Sequence, residues 1–143
     1  MRRPRQALTP VLLAAALMTL PGPGRAAEGA ADPEIQSTIT AQIDAFNRGD
    51  AAGAESFASP GIKAMFPDAG AFLGMVRHSY GALVHPRSTH FEPTVTADGA
   101  TVQHVTVVDA EGVVWTAVYS LEKVGDRWTI AGCVLVRSPE TSA

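Results

Sequence analysis

The chain has 143 residues, a net charge of −3, 46% apolar residues and one cysteine. That length suits one domain with one core, and a lone cysteine allows no internal disulfide, so packing must hold the fold. No basic run lies beyond the N-terminus, which argues against a nucleic-acid partner.

The opening stretch, MRRPRQALTPVLLAAALMTLPGPGRAAEGA, has three parts. Arg2, Arg3 and Arg5 form a positive start, Ala7 to Leu20 an apolar run of about 14 residues, and Pro21 to Gly24 a helix-breaking segment. Small residues then suit cleavage after Ala26, or as late as Ala31. The apolar run is short of the ~20 residues that span a bilayer. The expectation is a cleaved signal peptide over 1–26, no membrane span afterwards, and a periplasmic or secreted protein. Cleavage removes Arg2, Arg3, Arg5 and Arg25 and takes the net charge from −3 to −7. A single domain over 32–137 and a tail over 138–143 should remain.

Within that domain, Asp32 reads as a helix N-cap with Pro33 at the first helical position, where a missing N–H does no harm. Ile35, Ile39, Ile43 and Phe46 then form one apolar stripe. Gly49 suits a C-terminal cap, and Asp50 can cap a short helix from Ala51 to Ala58, ended by Pro60. Asp68 caps a third helix that carries Phe72, Val76, Tyr80 and Val84 until His85-Pro86 stops it. From Ser88 the period changes to that of strands: Thr89 to Ala97, Ala100 to Val108, Val113 to Val124, and Arg127 to Arg137. Asp98-Gly99, Asp109 to Gly112 and Gly125-Asp126 connect them as turns. Pro93 places the first strand at an edge. The pattern predicts an α+β fold, N-terminal helices packed on one face of a curved four-stranded antiparallel meander.

Two-residue closures at the three turns set Val95 against Val102, Thr106 against Trp115, and Tyr119 against Gly132. His104, Trp115, Tyr119 and Trp128 then face the helices. Val105, Val107, Val118, Cys133 and Leu135 face outward as an apolar patch, read as an interface for a homodimer. An intermolecular disulfide through Cys133 fits that reading. A one-residue slip would exchange the faces beyond it.

The order of helix, short helix, long helix and curved meander resembles the nuclear-transport-factor-2-like superfamily. The stretches FASPGIKAMF, FLGMVRHSYGALVHPR, VQHVTVVDAEGVVWTAVYSL and RWTIAGCVLV resemble the bacterial family catalogued as domain of unknown function 4864, from about Ile35 to Val136. The resemblance implies a cone-type fold and an exported bacterial protein. It supplies no reaction and no catalytic residue.

Enzymes of cone-type folds need a tuned acid–base group inside the cone. In the register above, no Asp or Glu faces inward. His104, Tyr119, Tyr80 and Trp115 are therefore the candidate lining of a small-ligand pocket, with Gly132 leaving room opposite Tyr119. The first reading is a non-catalytic small-ligand-binding or accessory module. The alternative is a small isomerase or dehydratase using His104 with Tyr119 and Tyr80. His78, His85, His90 and His104 lack metal-ligand spacing, and neither a metal nor another cofactor is expected. No basic residue adjoins Cys133 in sequence to activate its thiol.

Overall fold

The computed structural model describes residues 29–139, so the expected leader and the end of the tail lie outside the described residues. Helix α1, Pro33–Arg48, begins where the Asp32 carboxylate accepts from the Glu34 and Ile35 amides at 2.9 and 3.3 Å. Its stripe of Ile35, Ile39, Ile43 and Phe46 is buried, each side chain contributing about 1.5–3 kcal/mol relative to exposure. Asp50 caps α2, Ala51–Ser56, and Asp68 caps α4, Ala69–Ser79. Between them lies a helix the sequence reading did not anticipate, α3, Pro60–Ala64. Pro60 starts this helix as well as following α2, because the Ser59 hydroxyl accepts from the Ile62 amide at 3.3 Å and serves as N-cap. Helix α4 stops at Ser79, and Tyr80 leads into a single 3-10 turn, Gly81–Leu83.

The domain is α+β as expected, but the antiparallel sheet has five strands: β1 Ser88–Phe91, β2 Val95–Ala97, β3 Ala100–Val108, β4 Val114–Val124 and β5 Arg127–Arg137. The order is β1-β3-β4-β5, with β2 also on β3, so the expected first strand is split in two. Phe91 pairs with Val105 and Val95 with Val102, which sets Glu92, Pro93 and Thr94 opposite only Gln103 and His104. Pro93 has no N–H for the ladder. Gln103, fully buried, fills the break: its amide nitrogen donates to the Glu92 and His104 carbonyls at 2.6 and 2.9 Å. The Thr94 hydroxyl donates to the Gln103 carbonyl oxygen at 2.5 Å and accepts from the Asp32 amide at 2.7 Å. One buried amide thus joins both pieces of the split strand to the start of α1.

Two irregularities overturn the expected facing of side chains. Val108 pairs with Val114, not Val113, because the β3–β4 loop is Ala110-Glu111-Gly112, with Gly112 at φ 85°. This is a three-residue closure ending in a left-handed glycine. Asp109 holds it: Oδ1 accepts from the Glu111 and Val113 amides at 3.0 and 2.8 Å, and Oδ2 from the Trp115 indole at 2.9 Å. The extra residue turns β3 over, so Val105 and Val107 are buried while His104 lies on the face paired with Val118. On β5, Leu121 pairs with Ile130 but Ser120 with Gly132, leaving Ala131 as a bulge. Beyond it Cys133 and Leu135 pack against the core, and Val134 and Val136 are exposed. By contrast, the Asp98-Gly99 turn closes as expected, with both residues at positive φ and Val95 opposite Val102.

Beside the bulge, the segment between α2 and α3 is laid along the edge of β5. The Ser59 amide donates to the Ile130 carbonyl at 2.9 Å, and the Ile130 amide to the Phe57 carbonyl at 2.8 Å. Arg127 adds a bond to the Ser56 carbonyl at 2.8 Å and stacks over the Phe57 ring. Among the described residues no helix is long and apolar enough to cross a membrane.

The Trp115 indole and the two loop amides hold the Asp109 carboxyl below its ordinary range against an opposing effect of burial, with Arg137 adding a favourable charge. A depressed carboxylate stabilises the fold fully above its unfolded value and loses that contribution as pH falls through the folded one. Asp109→Asn should therefore lower the urea midpoint at pH 7, and the gap to wild type should begin to narrow only as pH falls below about 4. A gap that stays constant from pH 7 to pH 3 would show that the carboxylate charge plays no part.

Candidate functional site

A pocket of about 300 Å³ opens between α3, α4 and the sheet. Its helical walls are apolar: Phe46 from α1, Ile62 from α3, Phe72, Met75 and Val76 from α4, with Met65 and Phe66 from the turn after α3. Phe66 meets the Phe72 ring edge-on at 5.5 Å, and Phe46 lies tilted against Phe72 at 6.2 Å. Such offset aromatic contacts make firm walls. The sheet contributes Tyr119 from β4, and Ile130, Gly132 and Cys133 from β5.

Few polar groups reach this space, and most are already paired. The Tyr80 hydroxyl donates to the Cys133 carbonyl at 3.0 Å, and the Gln42 amide donates to the Ala54 carbonyl at 3.1 Å. Tyr119 differs. Its side chain is 1% exposed, yet its hydroxyl has no oxygen or nitrogen partner in the protein and faces only the Cys133 sulfur, a weak acceptor. It stands opposite Cys133 in the β4–β5 ladder. Burial raises the Tyr119 hydroxyl well above the usual tyrosine range, with the neighbouring thiol adding to the effect. Burial likewise pushes the Cys133 thiol up to about 12, opposed in part by the nearby Tyr119. Both groups are neutral at pH 7.

A family model described as domain of unknown function (DUF4864) matches residues 28–143. The chain belongs to the DUF4864 family. No curated protein and no solved structure matches it.

Of the pocket residues expected from sequence, this DUF4864 domain brings two together, Tyr119 and Tyr80, and sets the other two elsewhere. His104 is on the opposite face of the sheet, so the acid–base trio of His104, Tyr119 and Tyr80 does not assemble. Trp115 is spent on Asp109 and does not line the pocket. The expected outer patch is also redistributed. Val105 and Val107 are 0% exposed, Cys133 and Leu135 pack inward, and only Val118 keeps its outward place. Among the described residues no three His, Cys, Asp or Glu side chains gather as a metal site would require.

Sequence reasoning missed Ile62, Met65 and Phe66 because SPGI reads as a turn, although a Ser-Pro pair is also a helix start. It missed Cys133 because the Ala131 bulge carries no local signal. With the thiol partly buried and protonated, native protein at pH 8 should react with iodoacetamide more slowly than urea-unfolded protein, and non-reducing gels should show no disulfide-linked dimer. Equal rates in the two states would mean that Cys133 is open to solvent.

Proposed function

We propose that this DUF4864 protein is an exported module of cone-type fold that binds a small molecule between α3, α4 and the sheet, without chemistry of its own. The observation that carries this reading is the Tyr119 hydroxyl, buried in a mostly apolar pocket with no oxygen or nitrogen partner. A buried hydroxyl normally has a partner, and leaving one unmade costs about 1–3 kcal/mol. A ligand atom in the pocket would supply it. The pocket volume falls at the lower end of the range used for small ligands. The non-catalytic part rests on the same residues: general acids and bases work best with values near the operating pH, and Tyr119 and Cys133 are both driven upward, away from it. Export rests on the N-terminal leader pattern.

Thermal-shift screening of small metabolites should yield stabilising compounds. Met75 is only half-buried and lines the pocket, so Met75→Trp should fold and abolish those shifts. Shifts of equal size in Met75→Trp would place the binding elsewhere.

A second reading, self-association through the outer sheet face, is supported by different residues from those first expected. Val134 and Val136 are 60% and 52% exposed, and Val114 39%, on the face that also carries Val118 and Val102. Light scattering of the protein should give a dimer that Val134→Glu dissociates. A clean monomer at high concentration would end this reading.

A further inference from the structure

We infer that the ligand is an uncharged, mostly apolar molecule with one oxygen acceptor, which takes its hydrogen bond from the Tyr119 O–H. This rests on the pocket reading above and narrows it by what the walls hold and lack. None of the side chains lining the pocket is a Lys, Arg, His, Asp or Glu. A carboxylate or ammonium group entering it would give up its hydration with no opposite charge to meet, and burial of an unpaired charge is strongly disfavoured.

The donors are nearly all committed. The Tyr80 hydroxyl is held by the Cys133 carbonyl, and one of the two Gln42 amide N–H groups by the Ala54 carbonyl. The Cys133 thiol is a weak donor. Tyr119 is a strong donor with nothing better than the Cys133 sulfur to meet, and its burial keeps it protonated. A ketone, ether or alcohol oxygen is the complement to such a group. The apolar remainder of the ligand would meet Phe66, Phe72, Met65 and Met75. Met65 is 71% exposed and marks the solvent side. Methionines adapt to varied apolar shapes, so selectivity should sit in the oxygen rather than in the hydrocarbon part.

Three probes of similar size separate the possibilities: acetophenone, ethylbenzene and benzoate, each titrated calorimetrically at pH 7.5 into wild type and Tyr119→Phe. Wild type should bind acetophenone about five- to tenfold more tightly than ethylbenzene, the effect of one hydrogen bond. Benzoate should give no heat. Tyr119→Phe should erase the preference while keeping or raising the melting temperature of the free protein, because it deletes a buried hydroxyl that meets no more than a sulfur. Benzoate binding as tightly as acetophenone would overturn the inference, as would a preference that survives in Tyr119→Phe. A sharp fall in that variant's melting temperature would overturn it too, by showing that the hydroxyl is bonded within the protein. Equal binding of acetophenone and ethylbenzene would overturn the ligand class and leave the pocket standing, whereas failure of all three to bind would remove the pocket reading itself.

Discussion

With one carboxylate oxygen accepting from two loop amides and the other from the Trp115 indole, Asp109 holds the β3–β4 connection at three residues, and the facing of every side chain on β3 depends on that length. Gln103, Val105 and Val107 turn inward because of it. The inward Gln103 amide can then occupy the break between β1 and β2, where its bonds reach Glu92, His104 and Thr94. Thr94 in turn accepts from the backbone at the start of α1. A turn at one end of the sheet thus governs how the first helix is anchored at the other. A two-residue closure would put the His104 imidazole where the Gln103 amide now satisfies three partners.

The second frame-setting element is the Ala131 bulge, and it shapes the pocket where the Asp109 turn shapes the core. Ile130 bonds to Phe57 and Ser59 on its free edge while pairing with Leu121 on the other, and the ladder resumes at Gly132. The extra residue lets β5 follow both neighbours. Its effect is to bring Cys133 beside Tyr119, beneath a wall of α4 side chains. The result departs from the ordinary economy of a core, since Tyr119 buries a hydroxyl that meets no oxygen or nitrogen of the protein. Local inconsistencies of this kind tend to sit at functional sites. Phe in place of Tyr119, the apolar residue nearest in shape, would make a quieter interior.

What the sequence made legible was local. Asp32, Asp50 and Asp68 are N-caps because a short carboxylate can reach amides two or three residues ahead, and such reach does not depend on the rest of the fold. The Asp98-Gly99 turn was equally readable, as both residues tolerate positive φ. The inward places of Tyr119 on β4 and Ile130 on β5 were also correctly read, since no irregularity separates Ile130 from its turn. Facing along β3 and the far half of β5 was not, because strand parity is a count. It inverts with one added residue, and the counts at Gly112 and Ala131 are decided by contacts distant in the chain. His104 changed faces in consequence, while Tyr119 and Tyr80 both line the pocket. The short helix α3 was hidden by a different ambiguity: proline ends one helix and opens another with equal ease.

The Ala131 bulge has a consequence for how this domain tolerates change. Residues 132–137 reach their present sides of the sheet through length alone, without regard to which side chains they carry. Substitutions there act one at a time, each judged by the space it meets. Removing Ala131 would instead act on all of them together, sending Cys133 and Leu135 into solvent and Val134 and Val136 toward the helices. The wall of the pocket is therefore soft toward altered chemistry and brittle toward altered spacing. A gain or loss of one residue in this strand would rewrite the pocket wall and the outer surface in a single step.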